Sequence, residues 1–422
     1  MKIGLVCPYI YPEAGGVAQH VRFLYENLRL RGHDVRVLTA SHGPQRSSEG
    51  DIIRLGVGVS VPINASVGTL TFSPRYLGQI RTMLEREQFD VLHFHEPFVP
   101  FLSLFLLRES KSVNIATFHA FAGFSPSYEF GSRALRGYAA RLHGRVAVSA
   151  AARHFADRFF PGDYKVIPNG VDIGRYANAV PLARWQDGTP NVLFVGRHEP
   201  RKGLLDLLKA HRMMRKTGSQ SRLLVVGSGP QEREARRYVA TRGLQGVEFL
   251  GRVTDREKAQ LFRTADVYAS PATGGESFGI VLLEAMAAGT PIVCTDIHGY
   301  KGVVRRGREG LMVPPREPRQ LAVAIDRLLR DPALREQMGA AGQARAEAFS
   351  WPRVAARVED YYGFVIRRLA VAGELPPGFR TAVPQAPPPP VRNRSSVGSS
   401  DDDTPVAASV DSARASRQTE AE

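Results

Sequence analysis

Short apolar runs rich in β-branched residues recur along the first 170 residues, each followed by a turn and then by apolar positions at helical spacing. Such runs are typical of strands in a parallel sheet that helices cover on both faces. The pattern therefore predicts a doubly wound α/β unit. The predicted strands are Lys2 to Val6, Asp34 to Thr39, Val91 to Phe94, Ile115 to Phe118 and Arg145 to Val148.

The pattern restarts after the turn-rich stretch from Ile167 to Asp172, which we predict to be a hinge. The expected fold class is α/β, with two Rossmann-like doubly wound domains that face each other across a cleft. We place these domains at residues 1–170 and 171–350, and we expect a helix over residues 351–370 to complete the first. The predicted strands of the second domain are Val192 to Val195, Leu223 to Val226, Glu248 to Leu250, Val267 to Ala269 and Ile292 to Cys294.

Residues 373–422 differ in composition from the rest of the chain. They contain Pro387 to Pro390, many serines and almost no large apolar side chains. Such a segment buries too little apolar surface to offset the entropy lost on ordering. We expect a disordered C-terminal tail.

The formal net charge of +15 over 422 residues suits an anionic partner such as nucleic acid, an anionic lipid or a phosphate-bearing substrate. No nucleic-acid-binding motif accompanies the charge, so nucleic acid is not an expected partner. The two cysteines, Cys7 and Cys294, exclude a disulfide framework and suit a reducing cytoplasm. No apolar run approaches the ~20 residues of a membrane-spanning helix, and no signal peptide is predicted.

Three glycine-containing stretches carry candidate chemistry. Gly15 and Gly16 precede a predicted helix, whose N-terminus favours an anion such as pyrophosphate; an ordinary βα turn is the alternative. The loop from Gly196 to Gly203 holds three cations, and Arg197 and Lys202 are the candidates for binding a diphosphate. The alternative for this loop is a solvated basic surface.

The third stretch runs from Gly274 to Pro291 and carries two carboxylates eight positions apart, Glu276 and Glu284. A glycine-rich turn opens an apolar helix here, and the spacing lets both carboxylates lie on one side. We expect Glu276 at the turn to accept hydrogen bonds from sugar hydroxyls, and Glu284 inside the helix to accept them from a buried donor such as a ribose. The amides of Phe278, Gly279 and Ile280 would be open to sugar or phosphate oxygens at the helix start.

Taken together, these motifs resemble the retaining glycosyltransferases of the two-Rossmann architecture called GT-B, and within them family 4. The resemblance covers residues 1 to about 370. It implies that the Gly16 amide meets the donor pyrophosphate, that Arg197 and Lys202 hold the diphosphate, that Glu276 binds the transferred sugar and that Glu284 binds the ribose. It also implies that His119 faces the sugar from the first domain, a structural bond at a strand end being the alternative.

Within the family, the sequence is similar to mannosyltransferases that use GDP-mannose and a phosphatidylinositol acceptor. In those enzymes the residues matching Asp255 and Lys258, beside Val253, contact guanine, whose paired donor edge suits a carboxylate. The alternative for Asp255 is a helix N-cap. No tightly bound cofactor is expected, and a Mg²⁺ dependence is not assignable to residues. His93 and His95 alternate on one strand, but no third ligand stands at a suggestive spacing, so no metal site is expected.

The expected acceptor side combines aromatic and cationic residues. No Asp or Glu occurs from Phe130 to Ala156, a stretch that suits an anionic lipid surface. The alternative is that these arginines cover the sheet and the aromatic rings fill the core. Segment 64–71, which resembles the inositol-phosphate side of the family enzymes, has no Arg, so the acceptor stays open. The candidate acceptor or membrane residues are Tyr9, Phe121, Phe124, Arg133, Arg136 and Arg141.

The sequence thus predicts a retaining hexosyltransferase, moving mannose from GDP-mannose to a lipid-linked acceptor such as phosphatidylinositol at the cytoplasmic face of the cell membrane. Within the family, another nucleotide sugar and a soluble or glycan acceptor form the alternative. Outside it, the alternatives are a nucleotide-sugar epimerase, a phosphorylase, or a non-catalytic nucleotide-sensing module on the membrane.

Overall fold

The computed structural model describes residues 1–9, 11–12, 15–41, 50–57, 59–63, 66–70, 75–121 and 126–385. Phe124 and the part of the predicted tail beyond residue 385 lie outside the described residues. Within them the chain forms two Rossmann-like parallel-sheet domains, which confirms the predicted α/β class.

The first domain is built on a seven-stranded sheet in the order β3-β2-β1-β6-β7-β8-β9, and every neighbouring pair is parallel. Strands β4 and β5 form a separate antiparallel hairpin. The strands are β1 (Lys2–Val6), β2 (Asp34–Ser41), β3 (Ile52–Val57), β4 (Val59–Ile63), β5 (Ser66–Leu70), β6 (Val91–His95), β7 (Val113–Phe118), β8 (Gly144–Ala147) and β9 (Lys165–Val166). The helices are α1 (Gly16–Leu30), α2 (Arg75–Glu87), α3 (Leu102–Glu109), α4 (Pro126–Ala139) and α5 (Ala150–Phe159).

The second domain has a six-stranded parallel sheet in the order β12-β11-β10-β13-β14-β15. Its strands are β10 (Asn191–Val195), β11 (Arg222–Val226), β12 (Val247–Gly251), β13 (Val267–Ser270), β14 (Ile292–Thr295) and β15 (Gly310–Val313). Its helices are α6 (Ile173–Ala177), α7 (Leu204–Lys216), α8 (Glu232–Thr241), α9 (Asp255–Thr264), α10 (Ile280–Ala288), α11 (Pro318–Arg330) and α12 (Pro332–Ala346).

The last helix, α13 (Trp351–Ala372), returns to the first domain. Its apolar face joins the core formed by β1 and α1, where the Trp351 ring stacks on Phe23 at 5.2 Å. Near its middle, the Tyr362 hydroxyl bonds His93 Nδ1 at 2.7 Å. The chain therefore crosses between the domains twice, and the crossings meet where the Val171 amide donates to the Phe349 carbonyl at 2.9 Å.

The segment just after α13 is ordered, so the expectation of disorder from residue 373 onward was wrong for its first part. The Asp90 carboxylate accepts the amides of Arg380 and Thr381 at 3.0 Å each and also the Thr381 hydroxyl. Leu375 and Phe379 pack against the first domain's core. These two apolar side chains are too few to change the composition of a proline-rich segment noticeably. They nevertheless hold it against the first domain.

No helix among the described residues combines the length and the apolar character needed to span a membrane.

Candidate active site

The cationic loop after β10 forms an alternating chain of charges. Arg197 Nη2 lies 2.8 Å from Glu199 Oε1, and Arg201 pairs with both Glu199 and Glu276. Lys202 Nζ lies 2.7 Å from Glu276 Oε1. From the sequence we expected an external anion to bind between these cations. In the structure, Glu199 and Glu276 of the chain pair with them. Glu199 thus lies between Arg197 and Arg201, and Glu276 lies between Arg201 and Lys202.

Glu276 is the centre of this network and is only 8% exposed. Arg201, which contacts it directly, was not among the predicted site residues. The signal was present, because Arg201 adjoins Lys202 in the same glycine-bounded loop. Gly203 ends the short 3₁₀ turn of Pro200–Lys202 at φ 72°, and a Cβ there would lie 2.0 Å from the Pro271 carbonyl oxygen. This close approach holds the cationic turn against the strand that precedes Glu276.

Helix α10 begins at Ile280, after Gly279 in the left-handed region at φ 89°. Glu276 therefore lies in the glycine-rich turn before the helix and Glu284 lies inside the helix, as the sequence predicted. The glycines at 274, 275 and 279 all have positive φ, which keeps this turn out of the helical conformation. The amides of Ile280 and Val281 lie in the first turn, where a helix offers them no internal acceptor. The side chain of Phe278, in the turn before the helix, is buried against Phe349.

Glu284 lies one turn into α10 and pairs with Lys258 of α9, whose Nζ is 2.8 Å away. Burial alone would lower the pKa of Lys258, but Glu284 and Asp255 raise it above its usual value. Glu284 Oε2 is buried and accepts no hydrogen bond from the residues that the structure describes. Because an unsatisfied buried carboxylate oxygen is costly, this atom is suited to a hydroxyl donor.

Asp255 is the first residue of α9, and its carboxylate lies 3.1 Å from Arg175 Nη1. The N-cap is Thr254, which forms a capping box with Glu257. The alternative role of Asp255 as an N-cap is therefore wrong. Its side chain is 52% exposed and open to a ligand. Val253, just before the cap, packs on the core.

The first domain contributes three imidazoles to the cleft. His20 lies in α1, His95 ends β6 and His119 follows β7, and one ligand atom from each lies within 4.8 Å of the other two. The His20 Nδ1 is bonded to Asn169 Oδ1 at 2.8 Å. His95 is thus joined by two histidines, His20 from α1 and His119 after β7, and not by His93. These three imidazoles are the group that could accept a transition metal.

Burial lowers the pKa of all three cleft histidines. That of His20 falls to about 4, and those of His95 and His119 fall well below 6.5, helped by the neighbouring imidazoles. All three rings are therefore neutral near pH 7. His93, by contrast, uses both ring nitrogens for Tyr362 and Thr117 and has a structural role.

The cleft brings predicted residues of both domains together. One pocket is lined by Gly16, His20, Ile280 and Glu284, and a second is lined by Lys202, Glu276, Gly279 and Ile280. Since Ile280 borders both, the helix start of α10 stands between the charge network and the first domain. The Ser149 hydroxyl also donates to the Ser277 carbonyl across the same cleft.

The predicted acceptor residues have different surroundings. Arg133 and Arg136 are exposed on α4. Arg141 is also exposed, and its guanidinium donates to the carbonyls of Leu107 and Ser110 at the end of α3. Tyr9 is half-buried, and its pKa is raised by burial and by Glu96.

The aromatic part of that stretch divides in a similar way. Phe121 lies between Phe155 and His298, with ring centroids 6.4 and 6.3 Å away, so it contacts the second domain. Tyr128 packs on Phe155 and Phe159 within the core, as the alternative for the aromatic stretch expected.

Comparison with known proteins agrees with this architecture. Residues 14–175 match the family described as Glycosyltransferase Family 4, and residues 183–345 match Glycosyl transferases group 1. The phosphatidyl-myo-inositol mannosyltransferase of Mycobacterium leprae is 40% identical over 363 residues, a match that covers 86% of this chain and 96% of that protein.

Two solved structures share the fold. Sucrose-phosphate synthase of Thermosynechococcus elongatus matches with a TM-score of 0.69 at 26% identity, over 88% of this chain and 99% of that one. Anabaena HepE in complex with UDP and glucose matches with a TM-score of 0.67 at 21% identity, over 86% and 100% of the two chains. Sequence, fold and cleft therefore agree: the chain belongs to glycosyltransferase family 4 and is a glycosyltransferase with the GT-B fold.

Proposed function

We propose that this glycosyltransferase moves mannose from GDP-mannose, with retention, to the inositol of phosphatidylinositol at the cytoplasmic membrane face. The observation that carries the proposal is the buried Glu276, paired with Arg201 and Lys202 directly before the open amides of α10. The group proposed to bind the sugar, Glu276, thus lies next to the groups proposed to bind the diphosphate. The named activity of the Mycobacterium leprae relative supports the choice of mannose and of the acceptor.

In the proposed reaction, the bond between the sugar and the β-phosphate breaks while the acceptor hydroxyl forms the new bond on the same face. The hydroxyl proton passes to the departing phosphate oxygen. Arg197 and Lys202 stabilise the negative charge that develops there, helped by the N-terminus of α10. Glu276 positions the sugar through its hydroxyls and is not the attacking group. The reaction therefore retains the anomeric configuration without a covalent bond between the sugar and a carboxylate of the enzyme.

The nucleotide would lie along the second domain. The unsatisfied Glu284 Oε2 is suited to ribose hydroxyls, and the exposed Asp255 carboxylate could accept the two adjacent N–H groups of guanine. A guanine bound in this way would compete with Arg175 for the carboxylate. Uracil has no such paired donor edge, which favours GDP over UDP.

The first domain would hold the acceptor. It would also reach the donor: His119 would face the transferred sugar with a neutral ring, and Gly16 at the start of α1 would offer its amide to the donor pyrophosphate. The exposed Arg133 and Arg136 lie on α4, the first helix after His119 in the chain. They are placed to meet an anionic lipid surface.

The test is to incubate purified protein with GDP-mannose, UDP-glucose or UDP-N-acetylglucosamine and with vesicles that contain phosphatidylinositol. Mass spectrometry should identify one added hexose from GDP-mannose only, and NMR of the product should show the α-anomer. Calorimetry should show tighter binding of GDP than of UDP, and Asp255→Ala should abolish that preference. Transfer from a UDP-sugar, or to a soluble sugar but not to the lipid, would contradict the proposal.

A further inference from the structure

Two consecutive residues at the end of β6 contact His119 from different sides. Strands β6 and β7 pair in register, with His95 opposite Thr117, and the Glu96 amide donates to the Thr117 carbonyl at 2.9 Å. This pairing places His95 and Glu96 beside the residues that follow β7. Neither was predicted as a site residue.

Glu96 holds the backbone of His119. Its carboxylate accepts the His119 amide at 2.7 Å and also the Ala120 amide. The residue is only 5% exposed and has φ 52°, in the left-handed region that is unfavourable for a side chain other than glycine. Strain of this kind persists where surrounding contacts fix it, and it concentrates at functional sites.

His95 holds the ring of His119. Its Nδ1 lies 3.1 Å from His119 Nε2, and its own Nε2 is buried without a partner among the described residues. A buried N–H without an acceptor is rarer than a buried acceptor without a donor. The proton of neutral His95 therefore belongs on Nδ1, where it donates to His119 Nε2. His119, also neutral, then carries its proton on Nδ1.

We propose that Glu96 and His95 are positioning residues, which fix the backbone, ring and tautomer of His119 so that its Nδ1–H is offered to a hydroxyl of the donor sugar. The inference rests on the proposed function for the role of His119. Both residues form hydrogen bonds with His119. The pairing of β6 with β7 ends at His95 and Thr117, so it does not account for these two contacts.

One test needs no activity. With ¹⁵N-histidine-labelled protein in EDTA, which keeps metal ions off the three cleft histidines, His119 should show one tautomer with its proton on Nδ1. His95→Phe should give a mixture of tautomers for His119. A mixture in the unaltered protein would overturn the assignment of His95, whether or not the protein transfers mannose.

The second test is kinetic. Glu96→Gln and His95→Asn should each lower kcat by about 10- to 100-fold, the cost of a misplaced catalytic group, with the KM for GDP-mannose changed less than about 3-fold. In a His119→Ala background, the same changes should cost less than about 2-fold, because the group that they position is gone. Two substitutions away from His119 serve as controls: Glu109→Gln on α3 for the loss of a carboxylate, and His211→Gln on α7 for the loss of a buried histidine. Neither should lower kcat in the same way.

The outcomes separate the two proposals. If the unaltered protein transfers no sugar, the proposed function fails and the tautomer experiment still decides the role of His95. If it transfers sugar but Glu96→Gln is as damaging in the His119→Ala background as alone, Glu96 does not act through His119. Thermal unfolding of each variant shows whether a loss of kcat reflects a loss of fold instead.

Discussion

At the scale of single residues, the pairing of Glu276 with Lys202 makes the strongest prediction about activity. Lys202→Met and Glu276→Gln should each lower turnover at least about 100-fold, since one preorganised polar contact to a transition state contributes roughly 2.7–4 kcal/mol. Initial rates at saturating donor would measure the loss. Lys209→Met is the matched control, because Lys209 lies on α7, outside this network, and pairs with Asp206. Near-normal turnover in both site variants would remove this network from the mechanism.

A second residue-scale prediction concerns stability. Burial raises the pKa of Asp90, but the Thr381 hydroxyl and the amides of Lys2, Arg380 and Thr381 outweigh burial, and the pKa lies below 3.8. A depressed carboxyl pKa stabilises the fold above pH 3.8, and this contribution is lost as pH falls through the lowered pKa. Asp90→Asn should destabilise the protein by about 1–3 kcal/mol at pH 7. The substitution replaces one carboxylate oxygen, an acceptor, with an NH₂ group, which then faces backbone N–H donors such as that of Lys2.

Urea unfolding measured from pH 7 downward would check this prediction. The difference between the unaltered protein and Asp90→Asn should be constant down to about pH 4 and shrink below it. The exposed Asp163→Asn should show no such pH-dependent difference. A gap that widened as the pH fell would contradict the assigned direction of the pKa shift.

Residue types and spacing were enough to propose Glu276, Lys202 and Glu284, because glycine-bounded loops after strands mark ligand sites in this architecture. Arg201 adjoins Lys202 in the same loop and could have been proposed with it. Spacing gives no signal for the pairing of Arg201 with Glu276 or for the contact of Glu96 with His119, because only the three-dimensional structure places these residues together.

At the scale of elements, we predict that glycine-to-alanine substitutions before α10 and inside α2 change the stability of the protein in opposite directions. Gly279 has φ 89°, and a Cβ there would lie 2.8 Å from Tyr300 Cε1. Gly279→Ala should therefore destabilise the protein by at least about 1–2 kcal/mol through backbone strain alone, with the clash in addition. Gly78→Ala is the contrast, because Gly78 lies inside α2 with no atom within 4 Å of its added Cβ.

The Gly78 substitution should stabilise the protein by roughly 0.5–1 kcal/mol, since alanine loses less entropy in a helix. Denaturant unfolding of the two variants would measure both signs. Gly279→Ala should also weaken GDP binding, because the first turn of α10 would shift. Equal stability of both variants would show that the turn before α10 tolerates a side chain.

The elements themselves were largely predictable where they are buried. All ten predicted strands exist, with ends displaced by no more than two residues. The unpredicted parallel strands β3, β9 and β15 each lie at a sheet edge. Edge strands need not be apolar on both faces, so β9, exposed at both its residues, shows no continuous apolar pattern.

At the scale of the whole molecule, the uneven placement of charge predicts reversible membrane binding. Arg133 and Arg136 on α4 and Arg153 on α5 are exposed, and the Arg158–Glu129 pair joins these two helices. Each cation near an anionic surface contributes about 1 kcal/mol before screening, so three would give about 3 kcal/mol. Binding should therefore be measurable at low salt and should weaken as the Debye length falls from ~10 Å towards ~3 Å.

Flotation with vesicles that contain phosphatidylinositol would measure this binding against vesicles of neutral lipid. Changing Arg133, Arg136 and Arg153 to Gln should reduce the floated fraction several-fold at low salt. Changing the exposed Arg233, Arg237 and Arg242 to Gln removes the same charge from the second domain and should have little effect. Because both variants have the same net charge, only a localised surface can distinguish them. Equal flotation would mean that total charge, and not the α4–α5 face, governs attachment.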